Sequence, residues 1–212
     1  MSGKSTQNVK MIENNLNATD KKYFTQLHDL PTYDLYTETT NLLSNGKISW
    51  KNNQICVNTT SSDPDSIHLG VGSLWYDWSK VERTVDDNNV VHVHVPKRDV
   101  QMTGSDFDTL ATPFVGTLFE EVYRAVKQRF NIGRMRLMKS EPKTCLTWHR
   151  DDDKRIHYPI LTQNGSLMVI EDEVMFLPES TWWLTDTLRP HTAFNGGKGS
   201  RIHLVIEMLS ER

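Results

Sequence analysis

Eight short strand-like segments punctuated by turns, one strongly periodic helix ahead of them and an arginine opening the last segment predict a mainly β chain. The expected architecture is a double-sheet jelly roll with a packing helix and an α/β N-terminal extension. From Arg134 onward the segments fall at 134–140, 143–149, 155–161, 166–170, 174–177, 181–186, 191–195 and 201–208. No helical stretch interrupts them, so the strands are expected to pair into two facing sheets with a cavity between. Asn164-Gly165 and Gly196-Gly197 fall between strands, where turn residues belong.

Ahead of this region, residues 1–20 are polar and aperiodic and read as an N-terminal arm. A short helix is expected near Tyr33–Leu43, and the Ser/Asp/Pro stretch at 58–66 reads as a surface loop. Val81–Val85 and Val90–Val95 flank Asp86-Asp87-Asn88-Asn89, which predicts a hairpin. Thr112 and Pro113 suit an N-cap and first helical position; Phe114, Leu118, Val122, Val126 and Phe130 then recur at helical spacing. That predicts a helix over 113–130 with its apolar stripe against the larger sheet. The domain plan is an arm at 1–20 and a single jelly-roll domain at 21–212, with its core at 106–208.

At 212 residues the chain can bury one substantial core, and its formal net charge of -3 gives no global field to attract nucleic acid or anionic lipid. Cys56 and Cys145 form neither a disulfide framework nor a metal-spaced pair. With no membrane-spanning run and no apolar leader, a cytoplasmic protein is expected. Nothing in the sequence sets its oligomeric state.

The most informative residues are His149, Asp151, His191 and Arg201. Residues i and i+2 of a strand share a face, so His149 and Asp151 can point at one ion while Arg150 points away. Pro190 favours an extended Arg189 and starts the strand that brings His191 toward them. Two imidazoles and a carboxylate, with the remaining positions open, suit Fe(II) oxygen chemistry. Zinc can bind the same set, although its catalytic sites usually keep one open tetrahedral position. The run His149-Arg150-Asp151 also matches part of a kinase catalytic loop, but the phosphate loop, strand lysine and Asp-Phe-Gly that a kinase needs are missing.

Arg201, His203, Val205 and Glu207 share one face of the last strand. A guanidinium inside a barrel demands an anion, and its fork suits a carboxylate. Arg155 and His157 share a face just after the first two candidate ligands; a dicarboxylate would satisfy both cationic ends. Trp148, Trp182, Trp183 and Phe194 are expected to be packing residues, and Cys145 a buried small hydrophobe. His92 and His94 lack a third ligand nearby, and Asp152 and Asp153 read as solvated neighbours of Asp151. Arg134, Arg136 and Lys139 read as a solvated or ion-paired face rather than a nucleic-acid track.

Leu-Thr-Trp-His149-Arg-Asp151, Arg155-Ile-His157, Leu-Arg-Pro-His191-Thr-Ala-Phe-Asn and Ser-Arg201-Ile-His give roughly residues 134–208 a resemblance to a known family. It resembles the aspartyl/asparaginyl beta-hydroxylase-like family of 2-oxoglutarate and Fe(II)-dependent dioxygenases. The resemblance implies His149, Asp151 and His191 as iron ligands and catalytic residues. It implies Arg201 at the distal carboxylate of 2-oxoglutarate, with Arg155 and His157 near that co-substrate. The animal enzymes that name the family lack the carboxylate ligand and carry a membrane anchor, whereas Asp151 is present here. Free-standing bacterial members that hydroxylate free amino acids look closer.

The expected function is therefore hydroxylation of an unactivated C–H bond, in an amino acid or a peptide side chain, using Fe(II), 2-oxoglutarate and O2 and releasing succinate and CO2. The alternative is a non-oxygenase cupin-type metal-binding protein, such as an isomerase or sensor. The substrate would be a small molecule or peptide, selected by the N-terminal half and the strand-connecting loops.

Overall fold

The structure is a computed structural model and describes residues 21–212; the expected arm at 1–20 lies outside the described residues. In chain order the elements are β1 (Phe24–Leu27), α1 (Leu35–Ser44), β2 (Gln54–Cys56), β3 (Asn58–Thr59), β4 (Glu82–Val85), β5 (Val91–His94), β6 (Thr109–Leu110) and α2 (Leu118–Arg129). There follow β7 (Phe130–Ser140), β8 (Thr144–Cys145), β9 (Lys154–Leu161), β10 (Ser166–Ile170), β11 (Glu173–Met175), β12 (Trp182–Thr185), β13 (His191–Asn195) and β14 (Arg201–Glu211).

Two antiparallel sheets carry the architecture. The larger has the order β1-β12-β9-β14-β7-β2 and the smaller β11-β10-β13-β8, the two-sheet jelly roll that the strand pattern predicts. All eight expected segments have a strand, but the larger sheet also takes its edges β1 and β2 from residues 24–56. FTQL and QIC are too short to show alternation, so their place is set by partners far along the chain: β1 pairs with β12 and β2 with β7.

β14 is the central strand of the larger sheet and divides its residues by parity. Leu204 and Ile206 sink into the main core with Leu137, Ile156 and Tyr158, on the side covered by the helices. Arg201, Val205 and Glu207 face the cavity between the sheets. The helix α2 buries Phe119, Val122, Tyr123 and Val126 into the same core. It is shorter than expected: Thr112–Phe114 is a separate 3-10 turn that follows Ala111 without a side-chain cap, and Thr117 caps the helix by accepting from Phe119 N–H. Gly116 separates the two at φ +76, a conformation that breaks a continuous helix from 113. Phe114 and Phe130 are buried as the helical stripe predicts, but from the turn and from the first residue of β7.

The β4–β5 hairpin forms where expected, around an Asn89 at φ 60. Trp182 and Trp183 are buried on opposite faces of β12, one in each apolar cluster. Two other packing expectations fail. Trp148, which follows the two-residue β8, is 57% exposed, and Cys145 is exposed within β8 itself, the edge strand of the smaller sheet. No helix among the described residues is long and apolar enough to cross a membrane.

Candidate active site

Regular pairing of β8 with β13 ends at Cys145, yet the two segments stay in touch, through Leu146 N–H to Ala193 O at 2.9 Å and then at His149 and His191. His149 N–H donates to His191 O at 3.1 Å and His191 N–H donates to His149 O at 2.9 Å. This reciprocal pair puts both imidazoles on one side of the ribbon, with ring centroids 4.2 Å apart. Asp151 is held by its own N–H to Thr187 O at 2.9 Å, and its Oδ2 lies 3.7 Å from His191 Nε2. One ligand atom from each of His149, Asp151 and His191 falls within 4.8 Å of the others; no other group of three His, Cys, Asp or Glu residues does so among the described residues.

The tautomers follow from the backbone. His149 Nδ1 lies 2.7 Å from Thr147 O and His191 Nδ1 lies 3.0 Å from Arg189 O. A carbonyl can only accept, so each Nδ1 carries the proton and each Nε2 keeps a lone pair for an ion. Burial lowers the pKa of His191, which favours the neutral ligand form. Two neutral imidazoles and one carboxylate on one side of a point, with cavity on the other, fit a divalent cation that needs vacant positions. His92 bonds Asp86 at 3.0 Å on the exposed hairpin, outside this group.

The cavity beside the three residues has a volume of about 770 Å³ and receives four arginines of the larger sheet, Arg134 and Arg136 from β7, Arg155 from β9 and Arg201 from β14. Two of them are paired. Arg134 Nε donates to Glu207 Oε1 at 2.7 Å, its backbone N–H to Oε2 at 3.0 Å, and its Nη1 to the carbonyls of Gly70 and Gly72 at 3.0 and 2.8 Å. Arg155 lies between two acids, its Nε 3.1 Å from Asp151 Oδ2 and its Nη2 3.5 Å from Glu207 Oε1. Burial alone would raise the pKa of Glu207, but Arg134, Arg155 and Arg136 overcome it and hold the carboxyl below its ordinary value.

The other two arginines, among the described residues, meet no carboxylate. Arg201 is buried, its Nε has no hydrogen-bond acceptor, and burial pulls its pKa down to about 10. Beside it both ring nitrogens of His157 and of His203 are buried without partners, the rings 5.8 Å apart and edge to face. Burial first, then the charges of Arg201 and Arg155, lowers His157 to about 3, so the imidazole is neutral. An orphaned guanidinium next to neutral donors fits an organic anion. Arg136 is the second unpaired cation, its Nη1 donating to Gln54 Oε1 at 2.9 Å while its Nε has no acceptor.

All six residues singled out from the sequence, His149, Asp151, His191, Arg155, His157 and Arg201, therefore line one cavity. Sequence reasoning gave Arg134 and Arg136 a solvated or ion-paired strand face; both are buried, and only Arg134 is ion-paired. Their alternation with Met138 was a usable signal, since all three line the cavity. The N-terminal half closes the same cavity through Gln54, Trp75, Trp78, Met102 and Thr103.

No curated protein sequence matches the chain. Among solved structures it is similar to an oxidoreductase of the 2OG-Fe(II) oxygenase family from Burkholderia pseudomallei, at 9% identity and a TM-score of 0.46, covering 97% of this chain and 89% of that chain. It is also similar to the viral collagen prolyl hydroxylase of Paramecium Bursaria Chlorella virus-1 in its 2OG complex, at 9% identity and a TM-score of 0.43, covering 90% of this chain and 98% of that one. A third, IDO from Bacillus thuringiensis, has 11% identity and a TM-score of 0.42, covering 100% and 97% of the two chains. Residues 108–211 match the model of the aspartyl/asparaginyl beta-hydroxylase family. The matched residues contain the histidine pair, the aspartate and Arg201, and the family is the one that the motifs of this region resemble.

Proposed function

We propose that the chain hydroxylates an unactivated C–H bond of a small molecule or peptide side chain, an amino acid being the first substrate class to try. In this reading residues 21–212 work as one unit, since β1 and β2 supply the edges of the larger sheet. His149, Asp151 and His191 would hold Fe(II), and Arg201 would receive the distal carboxylate of 2-oxoglutarate, with His157 as a neutral donor near it. Bound together, Fe(II) and 2-oxoglutarate supply the oxidative chemistry that places an oxygen atom from O2 into a C–H bond, leaving succinate and CO2.

The observation that carries this reading is the shared protonation pattern of the two histidines. Each gives its Nδ1 proton to a carbonyl two residues upstream, which leaves both Nε2 atoms as acceptors beside a carboxylate. A solvated surface pair has no need of such locking. Arg155 fixes the orientation of the Asp151 carboxylate, while the buried walls around Arg201 and His157 exclude water from the anion site.

The test is succinate release by the full chain given 2-oxoglutarate, Fe(II), ascorbate and O2, alongside the His191→Ala variant. Succinate that depends on iron and O2, and disappears in the variant with its bound iron, supports the proposal. Tight metal binding with no consumption of 2-oxoglutarate, with or without amino acids added, would point to the cupin-type alternative.

A further inference from the structure

Five arginines line the cavity, of which Arg150 is exposed; of its carboxylates, Asp151 pairs with Arg155 and Glu207 with Arg134 and Arg155, while Asp152 and Asp153 form no ion pair with any of the five. On the reading just proposed, on which this inference rests, the distal carboxylate of 2-oxoglutarate accounts for Arg201. One buried cation is left over. Arg136 is 7% exposed, and Glu207, which attracts it from the neighbouring strand β14, spends its oxygens on Arg134 and Arg155. Its one side-chain partner is the neutral amide oxygen of Gln54, which also accepts from Gly72 N–H at 3.2 Å. Burial and the like charge of Arg134 lower its pKa to about 10, which registers how poorly its charge is balanced.

Register separates Arg136 from Arg201. Arg136 lies opposite Val205 of β14, and Val205 lies opposite His157 of β9, so Arg136 and His157 flank one position of the central strand. Arg201 is four residues away along β14, roughly 13 Å of backbone at about 3.3 Å per residue, and neither guanidinium is among the charges that perturb the other. The two free cations therefore serve different anions or the two ends of a long one. The walls near Arg136 also differ in origin: Gln54 comes from β2, and Trp75 and Trp78, 48% and 59% exposed, line the same cavity from the N-terminal half.

We propose that Arg136, oriented by Gln54, is the residue that binds a carboxylate of the substrate, so that the enzyme selects acids and rejects the matching amides. The carboxylate belongs either to a free amino acid or to an acidic side chain within a peptide. The guanidinium fork suits either, and a neutral amide in its place would leave the buried charge without a counter-ion.

The experiment is calorimetric titration of the full chain loaded with Mn(II) and 2-oxoglutarate, so that binding is read without turnover. The probes are three acid and amide pairs: L-proline and L-prolinamide, L-leucine and L-leucinamide, and the α-amides of N-acetyl-L-aspartate and N-acetyl-L-asparagine. At least one acid is expected to bind tenfold or more tighter than its amide. The first two pairs report a free amino acid, the third an acidic side chain. Arg136→Gln should abolish that preference and Arg136→Lys retain part of it, while affinity for 2-oxoglutarate changes less than threefold in either. Equal binding of acids and amides, or binding of none, overturns the proposal without any variant having to fold. A large loss of 2-oxoglutarate affinity in Arg136→Gln overturns it differently, by making Arg136 the co-substrate's arginine. Failure of wild-type protein to bind 2-oxoglutarate would instead sink the functional reading itself, and this inference with it.

Discussion

Arg134 and Arg201 enter one cavity from neighbouring strands, are equally buried, and live in opposite circumstances. Arg134 is saturated by Glu207 and two carbonyls, whereas the Arg201 Nε meets no acceptor. The first is a part of the fold, and the second, on the function proposed above, receives a ligand. Stability and function are thus written in the same residue type, and only the partner tells them apart.

The largest effect expected from that contrast follows from breaking the paired region. Glu207→Gln leaves Arg134 buried without its counter-ion and should cost about 3–5 kcal/mol of unfolding free energy, read from urea denaturation. A loss well under 1 kcal/mol would mean that the pair is not structural. Arg155 should feel the same substitution, because it shares Glu207 Oε1.

In the unpaired region the sign changes. Arg201→Met removes an uncompensated buried charge, so the ligand-free protein should be as stable as wild type or more so. Its affinity for 2-oxoglutarate should fall by about ten- to a hundredfold, the worth of roughly 1.5–3 kcal/mol for hydrogen bonds to a charged group. Unfolding midpoints and calorimetry measure the two halves of this prediction separately.

Acid should sharpen the contrast further. In the folded protein His157 is held neutral down to about 3, whereas in the unfolded chain it takes up a proton below its ordinary 6.5. His203 shifts the same way, burial being the largest cause. The unfolded state therefore binds more protons across that window, so stability is full above pH 6.5 and is lost as the pH falls toward 3. Urea midpoints of metal-free protein between pH 7 and 4 should fall steadily, and His157→Gln should flatten the slope. A midpoint independent of pH over that range would contradict the buried neutral imidazoles.

The smallest effect is expected at a glycine. A Cβ on Gly133 would sit 2.7 Å from Glu207 Oε2 and 3.0 Å from Gly104 Cα, so Gly133→Ala should push the carboxylate off Arg134. The loss should be smaller than for Glu207→Gln because the charge remains, and 2-oxoglutarate affinity should hold.

The same contrast explains what the sequence discloses. Arg201 is legible because it opens a strand of strict alternation, and His149 and Asp151 because they sit two apart; period 2 turns spacing directly into a shared face. The Arg134–Glu207 pair is not legible, since its partners are 73 residues apart and nothing local announces them. The same holds for β1 and β2, which owe their strand pairing to β12 and β7. Arg136 stands between these cases: its phase with Arg134 was visible, but that the face turns inward was not. The exposure of Trp148 and Cys145 has a local cause, a two-residue strand at the edge of its sheet.

The most direct measurement sets Arg201→Met beside wild type and follows 2-oxoglutarate binding together with the melting temperature of the ligand-free protein. The expected result is a dissociation constant raised at least tenfold with a melting temperature unchanged or higher. Unaltered binding, or a variant that melts far below wild type, would show that Arg201 has a partner within the fold and is not held in reserve for a diacid.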